Sequence, residues 1–539
     1  MKVAEFLLQS LEANAVRHIF GNPGTTEIPL VRACDHRARL DYVVALSEVS
    51  AVPMADGYAR VTRSLGVVNL HVAPGLGNGM GNLYTASIAR TPLLVLVGGQ
   101  DRRFVHSGPI LHGPLEAMIR PIAKAVFTLA RIEDVEFHVR RAIRTALTPP
   151  TGPVALICPP DLLEEDIDAQ PVRVTIPSLG TIGTQDADAY AKFLRQAQRP
   201  ALVAGEDVHW AGASAALTAL AEALGAPVYC GPYTPVLPVA STSPSHAGYL
   251  PPSFAGISER LAGHDALLFV GFRNFRTTLY SAPALPQRKA WIGHDPEPLA
   301  AEGEFELACI ADLTQSLEAI GKRLRIAGSR AAAAPNRVQP WKPEVCVPAH
   351  EPGVFHPSRA ILQLLVAFRG ALVVDEAGLS TSDVRQFVES HAGEYIINGS
   401  GGIGWGLAAA VGAAIGRQDR QVIAIIGDGS SLYASEALWT AAHQGARILF
   451  VILSNRRYAT LNEAAGRLTG KPIDLFSIEP PVIDFSGLAT MYSLRFERCA
   501  SEAELEQFLY TTGGRVDDNM LLELCFDPSV QPVTAKRHF

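Results

Sequence analysis

The sequence predicts an α/β protein in which parallel sheets are divided among three domains. Runs that are apolar along their whole length, such as Val422–Ile426 and Ile448–Leu453, alternate with helical stretches throughout the chain. A strand covered on both faces is apolar throughout, whereas a strand with one solvated face alternates apolar and polar residues. The alternation therefore indicates strand–helix–strand units and parallel sheets. A chain of 539 residues is also long enough for about three such domains.

Two changes in composition mark the domain boundaries. The apolar run Gly152–Cys158 is followed by an acidic, irregular stretch from Asp161 to Ala169. The segment Ala331–Pro352 is rich in Ala and Pro and lacks periodicity, which is typical of an interdomain linker. The predicted domains are residues 1–170, 180–330 and 355–539.

Two segments have the same predicted order of elements. In Gly66–Val97, a strand, a Gly-rich turn, a helix near residues 78–89 and a second strand follow one another. In Gln421–Leu453, a strand is followed by helical composition from Ser431 to Gly445 and by a returning strand. The segments share little sequence, so they indicate only a repeated topology.

Charge and hydropathy exclude several classes of function. The net charge of −7 provides no basic surface for nucleic acid or an anionic membrane. No apolar run approaches the roughly 18 residues of a membrane span, and no secretory signal is visible. The seven cysteines are scattered, without the paired spacing of a metal or redox site. We therefore expect a cytoplasmic protein that binds neither nucleic acid nor membranes.

The motif Gly427-Asp428-Gly429-Ser430 and the later Asn455 predict a metal site. Each follows a buried strand, with 25 residues between Gly429 and Asn455. Because both strands of a strand–helix–strand unit run the same way, their carboxyl ends open onto one crevice. Asp428, Asn455 and the backbone carbonyl of Arg457 would form a hard-oxygen half-shell for Mg²⁺, while the amides of Gly427–Ser430 favour an anion. The pattern implies a diphosphate bridged by a metal.

Two titratable residues in the N-terminal part also follow predicted strands. Glu48 lies at a strand–helix junction with apolar neighbours, where burial raises a carboxyl pKa and suits proton exchange with a heterocyclic nitrogen. His71 ends a strand at the same predicted rim, and imidazole titrates near neutrality. Taken alone, Glu48 is equally consistent with a first-turn helix acid, and His71 with a structural histidine.

Together these motifs resemble the thiamine-diphosphate-dependent enzymes along the full length of the chain. The resemblance is carried by Gly427–Gly429 with Asn455, by Gly21–Gly24, by Glu48 before Ala55–Tyr58, and by Gly75–Asn78 after His71. The chain is similar in particular to the benzoylformate decarboxylases. The resemblance implies pyrimidine-binding, middle and diphosphate-binding domains, with thiamine diphosphate and Mg²⁺ as cofactors. It also implies a homodimer or homotetramer with sites between subunits.

The same resemblance implies roles for single residues. Glu48 would protonate the aminopyrimidine, His71 would handle protons beside the thiazolium, and Thr25 would contact the substrate carboxylate. A second pocket histidine of that family is replaced here by Thr278, and His112 is its candidate replacement, although it also fits a surface loop. The expected cofactor-binding residues are Gly401, Ile403, Gly427, Ser430, Tyr433, Gly378 and Leu379.

The sequence departs from the family pattern in three places. Ser454 precedes the ligand-position Asn455 where an Asn is usual, and Arg456 and Arg457 replace small residues. Ala464 stands where benzoylformate decarboxylases carry an aromatic wall. With these changes, the sequence does not identify the side chain of the substrate.

The predicted function is non-oxidative decarboxylation of a benzoylformate-like 2-oxo acid to an aldehyde and CO₂. One alternative is a carboligase or lyase with the same cofactor, as in acetolactate synthase, because loss of the second histidine would slow protonation. A remote alternative is an NAD-dependent oxidoreductase, because Gly399–Gly404 satisfies G-x-G-x-x-G after a strand-like run and before an Ala-rich helix.

Overall fold

The computed structural model describes residues 1–35, 38–278, 284–286, 288–295, 304–326, 347–471 and 473–532. Three six-stranded sheets, each wholly parallel in its pairing, confirm the predicted α/β fold. Most of the predicted linker Ala331–Pro352, with Cys346, lies outside the described residues. The exact domain boundaries therefore stay a prediction.

The strands are β1 (His18–Gly21), β2 (Asp41–Val44), β3 (Gly66–Leu70), β4 (Leu93–Gly98), β5 (Ala125–Thr128), β6 (Val154–Cys158), β7 (Pro200–Ala204), β8 (Val228–Cys230), β9 (His246–Tyr249), β10 (Ala266–Val270), β11 (Arg288–Gly293), β12 (Leu307–Ile310), β13 (Leu372–Glu376), β14 (Tyr395–Ile397), β15 (Val422–Gly427), β16 (Ile448–Ser454), β17 (Arg495–Cys499) and β18 (Met520–Cys525).

The helices are α1 (Val3–Ala13), α2 (Ile28–Cys34), α3 (Glu48–Thr62), α4 (Val72–Ile88), α5 (Leu115–Ile119), α6 (Val135–Leu147), α7 (Pro160–Leu163), α8 (Thr184–Gln196), α9 (Glu206–Trp210), α10 (Ser214–Leu224), α11 (Phe254–Leu261), α12 (Leu313–Ile326), α13 (Pro357–Ala367), α14 (Thr381–Phe387), α15 (Gly406–Gly416), α16 (Asp428–Ser431), α17 (Ala437–His443), α18 (Ala459–Thr469), α19 (Phe485–Met491) and α20 (Glu502–Thr512).

The first and third sheets have the same topology. Their strand orders are β2-β1-β3-β4-β6-β5 and β14-β13-β15-β16-β18-β17, which are identical when each sheet is counted from its own first strand. The middle sheet differs, with the order β12-β11-β10-β7-β8-β9. The repeated topology expected from residues 66–97 and 421–453 is therefore confirmed, and it extends to whole sheets.

Two predicted details of this repeat were wrong. The Gly-rich stretch after His71 is not a turn, because α4 begins at Val72 and runs through it. Its glycines let α4 lie against α3: a Cβ on Gly75 would lie 2.5 Å from Glu48 Oε1. The helical stretch after Gly427 is broken, because α16 ends at Ser431 and α17 begins only at Ala437.

Helices α3 and α15 hold the first and third sheets together. They occupy equivalent places in the two repeats, between β2 and β3 and between β14 and β15. A Cβ on Gly57 would overlap the backbone of Ala409, and one on Gly412 would overlap the carbonyl of Met54. The two helices are therefore in backbone-to-backbone contact, which only glycine permits at these positions.

A buried polar network lies at the same junction. The Asp56 carboxylate accepts hydrogen bonds from Arg60 (Nε, 2.8 Å), Thr91 (Oγ1, 2.6 Å) and the indole of Trp405 (2.7 Å). Arg60 also donates to the carbonyl of Ile397 at 2.8 Å. Since every partner is paired, the network fixes the start of α15 against α3.

No helix in the described residues has the length and hydropathy needed to cross a membrane.

Candidate active site

Glu48 is held at the start of α3, inside the protein. Ser47 caps the helix by accepting a hydrogen bond from the N–H of Val49 at 3.1 Å, which leaves Glu48 as the first helical residue. Its side chain is only 5% exposed and accepts a hydrogen bond from Asn78 Nδ2 at 3.2 Å. The carboxylate therefore lies between α3 and α4, close to His71, the residue that precedes α4.

His71 is oriented by a carboxylate that the sequence analysis missed. Its Nδ1 lies 2.7 Å from Glu27 Oε2 and 3.3 Å from Thr26 Oγ1. Glu27 is buried and also accepts from Thr26 Oγ1 at 2.6 Å and from the N–H of Gly24 at 2.8 Å. A carboxylate at Nδ1 places the Nδ1 proton between the two groups and leaves Nε2 free for chemistry.

The backbone immediately after His71 is strained. Val72 has φ +32°, a conformation that a β-branched residue rarely adopts. Such outliers cost on the order of 1–3 kcal/mol and gather at functional sites, where the surrounding structure holds them. The strain lies on the turn that directs the imidazole toward Glu27.

The remaining predicted catalytic residues lie on exposed segments. Thr25 begins the 3₁₀ turn Thr25–Glu27, so it stands two residues from the partner of His71. His112 lies on the exposed loop between β4 and α5. Thr278 is exposed, and its Oγ1 donates to the carbonyl of Pro252 at 3.1 Å. Within the described residues, no hydrogen bond joins His112 or Thr278 to His71.

A cavity of about 440 Å³ lies beside this part of the chain. Its walls are mostly apolar, and two of the polar side chains in them are hydrogen-bonded to each other: Thr128 donates to Glu116 at 2.6 Å. The residues that line it include Val72, Leu111, His112, Leu115 and Ala117. The cavity therefore extends from the backbone next to His71 to the loop that carries His112.

Asp428 and Asn455 lie together at the carboxyl ends of β15 and β16. Asp428 Oδ2 accepts from the N–H of Asn455 at 3.0 Å and of Arg456 at 2.6 Å, and Oδ1 accepts from the N–H of Gly429 at 2.7 Å. Burial raises the pKa of Asp428 to about 6, against the lowering effect of these hydrogen bonds. The site thus contains a largely buried carboxyl group for which a bound cation would favour the charged form.

The rest of the metal loop is irregular. Arg456 has φ +63°, where glycine would be unstrained, and the N–H of Arg457 donates to Asn455 Oδ1 at 3.2 Å. The carbonyl of Arg457 accepts from the N–H of Ala459 at 2.9 Å and keeps its second lone pair.

The predicted cofactor-binding residues follow three neighbouring strands. Gly378 and Leu379 form a 3₁₀ turn after β13, and the segment 399–404, which we call the glycine loop, follows β14. Gly427 is the last residue of β15, and Ser430 follows this strand. At the tip of this region, Ile403 and Tyr433 are exposed, and Tyr433 packs on Gly404.

Glu376, at the end of β13, holds the glycine loop from beneath. Its carboxylate accepts from the backbone N–H groups of Gly404 (2.8 Å), Trp405 (3.1 Å) and Gly406 (2.6 Å), at the start of α15. Burial nevertheless raises the pKa of Glu376 to about 7. Because a protein carboxylate already uses these donors, they are not open to a dinucleotide phosphate, which weighs against the NAD reading of the G-x-G-x-x-G pattern.

The polar residues fall into two groups on different sheets. The N-terminal rim comprises Thr25, Glu27, Glu48 and His71, and the C-terminal rim comprises Gly378, Ile403, Asp428 and Asn455. Within the described residues, no hydrogen bond or ion pair joins the two rims. The described chain therefore carries two separate groups of candidate site residues.

Comparisons with known proteins identify the family. Models of the thiamine pyrophosphate enzymes match in three parts: the N-terminal TPP binding domain at residues 1–122, the central domain at 187–320 and the C-terminal TPP binding domain at 376–513. A benzoylformate decarboxylase of Pseudomonas aeruginosa is 33% identical over 510 residues, covering 92% of this chain and 93% of that protein. This chain belongs to the thiamine pyrophosphate enzymes.

Other members of the family are similar over almost the whole chain. The crystal structure of benzoylformate decarboxylase from Polynucleobacter necessarius superposes with a TM-score of 0.90 at 25% identity, covering 99% of this chain and all of that one. A putative acetolactate synthase large subunit of Mycobacterium tuberculosis is 29% identical over 503 residues, covering 91% of this chain and 92% of that protein. The predicted resemblance to thiamine-diphosphate enzymes and benzoylformate decarboxylase is confirmed.

The donor set of the C-terminal rim fits a thiamine pyrophosphate enzyme that uses Mg²⁺. One carboxylate, one amide oxygen and one carbonyl are hard oxygen ligands, and Mg²⁺ takes one or two carboxylates with phosphate oxygens and water. The described residues contain no cluster of three His, Cys, Asp or Glu side chains that could hold a metal by themselves. The site therefore suits a cation that a diphosphate completes.

Sequence reasoning missed Glu27, Glu376 and Asn78 in this family site. The sequence predicts only a turn for the segment that contains Glu27, although this segment follows β1, the neighbour of β3. The rule that carboxyl ends of parallel strands share one rim, applied to β1 and β13 as it was to β15 and β16, would have placed Glu27 and Glu376 at the sites.

Proposed function

We propose that this thiamine pyrophosphate enzyme uses Mg²⁺ and decarboxylates a 2-oxo acid to an aldehyde and CO₂. The observation that carries the proposal is the Glu27–His71 pair, in which Glu27 binds Nδ1 and leaves Nε2 for proton transfer, with the buried Glu48 close to the same histidine. Thiamine diphosphate, when bound, supplies the electron sink for the loss of CO₂. What the chain supplies is proton transfer, substrate orientation and cofactor binding.

Proton transfer is assigned to two groups of the N-terminal rim. Glu48 exchanges a proton with a ring nitrogen of the cofactor, a role favoured by its burial. His71 donates the proton that replaces the lost carboxylate, through Nε2, because Nδ1 is occupied by Glu27. Thr25 lies two residues from Glu27, and its hydroxyl can donate to the substrate carboxylate.

Cofactor binding is assigned to the C-terminal rim. Asp428, Asn455 and the carbonyl of Arg457 would hold Mg²⁺, and Ile403 would support the cofactor from the exposed tip of the glycine loop. Similarity to the Pseudomonas aeruginosa and Polynucleobacter necessarius proteins supports these roles.

The cavity beside His71 is the proposed place for the substrate side chain. A volume of about 440 Å³ with mostly apolar walls suits a large apolar group better than a methyl group. His112 lies in its wall and can exchange protons with a molecule bound there. We therefore expect aryl or long aliphatic 2-oxo acids to be preferred over pyruvate.

A complete site is proposed to form between two chains, as a homodimer or as pairs within a homotetramer. No hydrogen bond or ion pair joins the two rims in the part of the chain that the structure describes, and exposed apolar side chains that a second copy would cover lie near both. Ile110 is 85% exposed near the N-terminal rim, and Leu468 is 73% exposed on α18, which follows Asn455. We expect the compartment to be the cytoplasm, since the six described cysteines are free thiols.

A carboligase is the second candidate. Thr278 cannot transfer a proton as a histidine does, so protonation would rely on His71 and on His112. Slower protonation gives a second carbonyl compound time to react, and similarity to the Mycobacterium tuberculosis protein is consistent with that outcome.

The deciding experiment is to supply purified protein, thiamine diphosphate and Mg²⁺ with a panel of 2-oxo acids, and to measure CO₂ and aldehyde together. Equal amounts of both support the decarboxylase, whereas CO₂ with less aldehyde and a hydroxyketone supports the carboligase. A Glu48→Gln variant should bind cofactor but lose turnover. Absence of CO₂ from every acid, with cofactor bound, would reject both candidates.

A further inference from the structure

Residues from three parts of the chain, each next to a different sheet, contact the glycine loop. From the third sheet, Glu376 accepts from Gly404 and Gly406. From the first, Thr85 on α4 shares a hydrogen bond of 2.8 Å with Ser400 Oγ. From the segment after β10 of the middle sheet comes Arg276.

Arg276 makes contacts that join the middle part of the chain to this loop. One guanidinium nitrogen, Nη1, donates to the carbonyls of Gly399 (3.2 Å) and Tyr233 (3.3 Å). The other, Nη2, donates to Glu206 Oε1 at 2.9 Å, and Glu206 is only 2% exposed. A planar guanidinium with several donors in fixed directions can bind all three acceptors at once, which a lysine cannot do.

The loop depends on more than its own backbone for order. Gly401 has φ +81° and Gly404 has φ +91°, so two of its residues lie in regions that only glycine visits freely. Within the loop the N–H of Gly402 donates to Ser400 Oγ at 3.1 Å, and side chains beyond the loop supply further hydrogen bonds. A loop that is ordered before binding saves the entropy that ligand binding would otherwise have to overcome.

We propose that Arg276 is a positioning residue of the cofactor site, which fixes the carbonyl of Gly399 and thereby the loop that carries Gly401 and Ile403. The proposal rests on the proposed role of this loop in binding thiamine diphosphate. Its consequence is that a residue of the middle domain sets the affinity for the cofactor without touching it.

The chain offers a matched control in Arg273. Its Nε lies 4.0 Å from the same Glu206 oxygen, but within the described residues it has no hydrogen bond to the glycine loop. Burial lowers the pKa of Arg273, as expected for a cation with less support. Arg273→Ala removes a charge from the same cluster and leaves the Arg276–Gly399 contact in place.

The test is the dissociation constant of thiamine diphosphate, measured calorimetrically with Mg²⁺ in excess on the full chain. Arg276→Ala should raise it by about tenfold or more, because a charge-assisted hydrogen bond contributes roughly 1.5–3 kcal/mol. Arg276→Lys should recover part of the loss, and Arg273→Ala should stay within about twofold of the unchanged protein. The rate at saturating cofactor should fall much less than the affinity.

An unchanged dissociation constant in Arg276→Ala would overturn the proposal, as would an equal loss in Arg273→Ala. Should Arg276→Ala not fold, Arg276→Lys and Thr85→Val, which removes the Ser400 contact, give the same comparison. Binding is measured without substrate, so a protein that binds the cofactor but releases no CO₂ would reject the proposed reaction and leave the role of Arg276 standing.

Discussion

The carboxylate of Glu27 lies 2.7 Å from Nδ1 of His71, although 44 residues separate the two in sequence. The pair is close because β1 and β3 are neighbours in the first sheet, and each residue follows the end of its strand. The arrangement gives His71 a defined ring orientation, with Nδ1 directed at a carboxylate and Nε2 left for the substrate.

Replacing Glu27 with Gln should slow the reaction and largely spare binding. Gln keeps the size of the side chain but has no negative charge to stabilise the positive charge that His71 carries during proton transfer. We therefore expect kcat to fall by about 10²–10⁴-fold. Steady-state kinetics with saturating cofactor measures this. Glu506→Gln, which alters a carboxylate on the exposed face of α20, is the control; an equal loss there would remove the special role of Glu27.

Removing the predicted metal ligands should abolish Mg²⁺-dependent cofactor binding. Asp428→Ala deletes the one carboxylate of the C-terminal rim, and Asn455→Ala deletes the amide oxygen beside it. Thermal unfolding should show that thiamine diphosphate with Mg²⁺ stabilises the unchanged protein, that a chelator removes this effect, and that neither variant shows it. Asp484→Asn, on the exposed cap of α19, should respond normally.

Filling the cavity should change substrate choice. Ala117→Trp places a large side chain in the wall, so kcat/KM for aryl and long-chain 2-oxo acids should fall by about tenfold or more, with little change for pyruvate. Ala503→Trp, on the exposed face of α20, controls for a general effect of tryptophan. Parallel losses for short and long substrates would mean that the side chain binds elsewhere.

The contact between α3 and α15 should be intolerant of any side chain. Gly57→Ala forces a Cβ into the backbone of Ala409 and should lower the free energy of unfolding by about 1–3 kcal/mol. In contrast, Gly81 lies on the exposed face of α4, with no atom within 4 Å of an added Cβ. Gly81→Ala should therefore raise the free energy of unfolding by about 0.5–1 kcal/mol. Urea denaturation of both variants provides the comparison, and equal effects would contradict the packing argument.

Glu376 should make stability fall as the pH rises. Its pKa is raised from 4.5 to about 7 in the folded protein, so the folded state holds one more proton than the unfolded state in this interval. The stabilisation is complete below about pH 4.5 and is lost by about pH 7, a change on the order of 3 kcal/mol. The difference in unfolding free energy between the unchanged protein and Glu376→Gln, measured across this range, should show that slope.

Strand positions were predictable because the parallel sheets are covered on both faces. Val422–Ile426 and Ile448–Leu453 carry no polar residue, and the structure buries all of them. The placement of Asp428 beside Asn455 follows from one strand–helix–strand unit, which local sequence contains. The same rule would place Glu27 and Glu376 at the rims, but their partners, like those of Arg276, depend on which distant strands and domains become neighbours.

The location of the two rims on different sheets has a genetic consequence. A complete site is proposed to combine the N-terminal rim of one chain with the C-terminal rim of another. When two variants with substitutions in different rims are mixed, both substitutions can therefore fall in the same site and leave the other site unchanged. A dimer of one Glu48→Gln chain with one Asp428→Ala chain would then contain one site with both lesions and one with neither. Two inactive proteins would thus restore activity to each other, whereas two variants of the same rim would not.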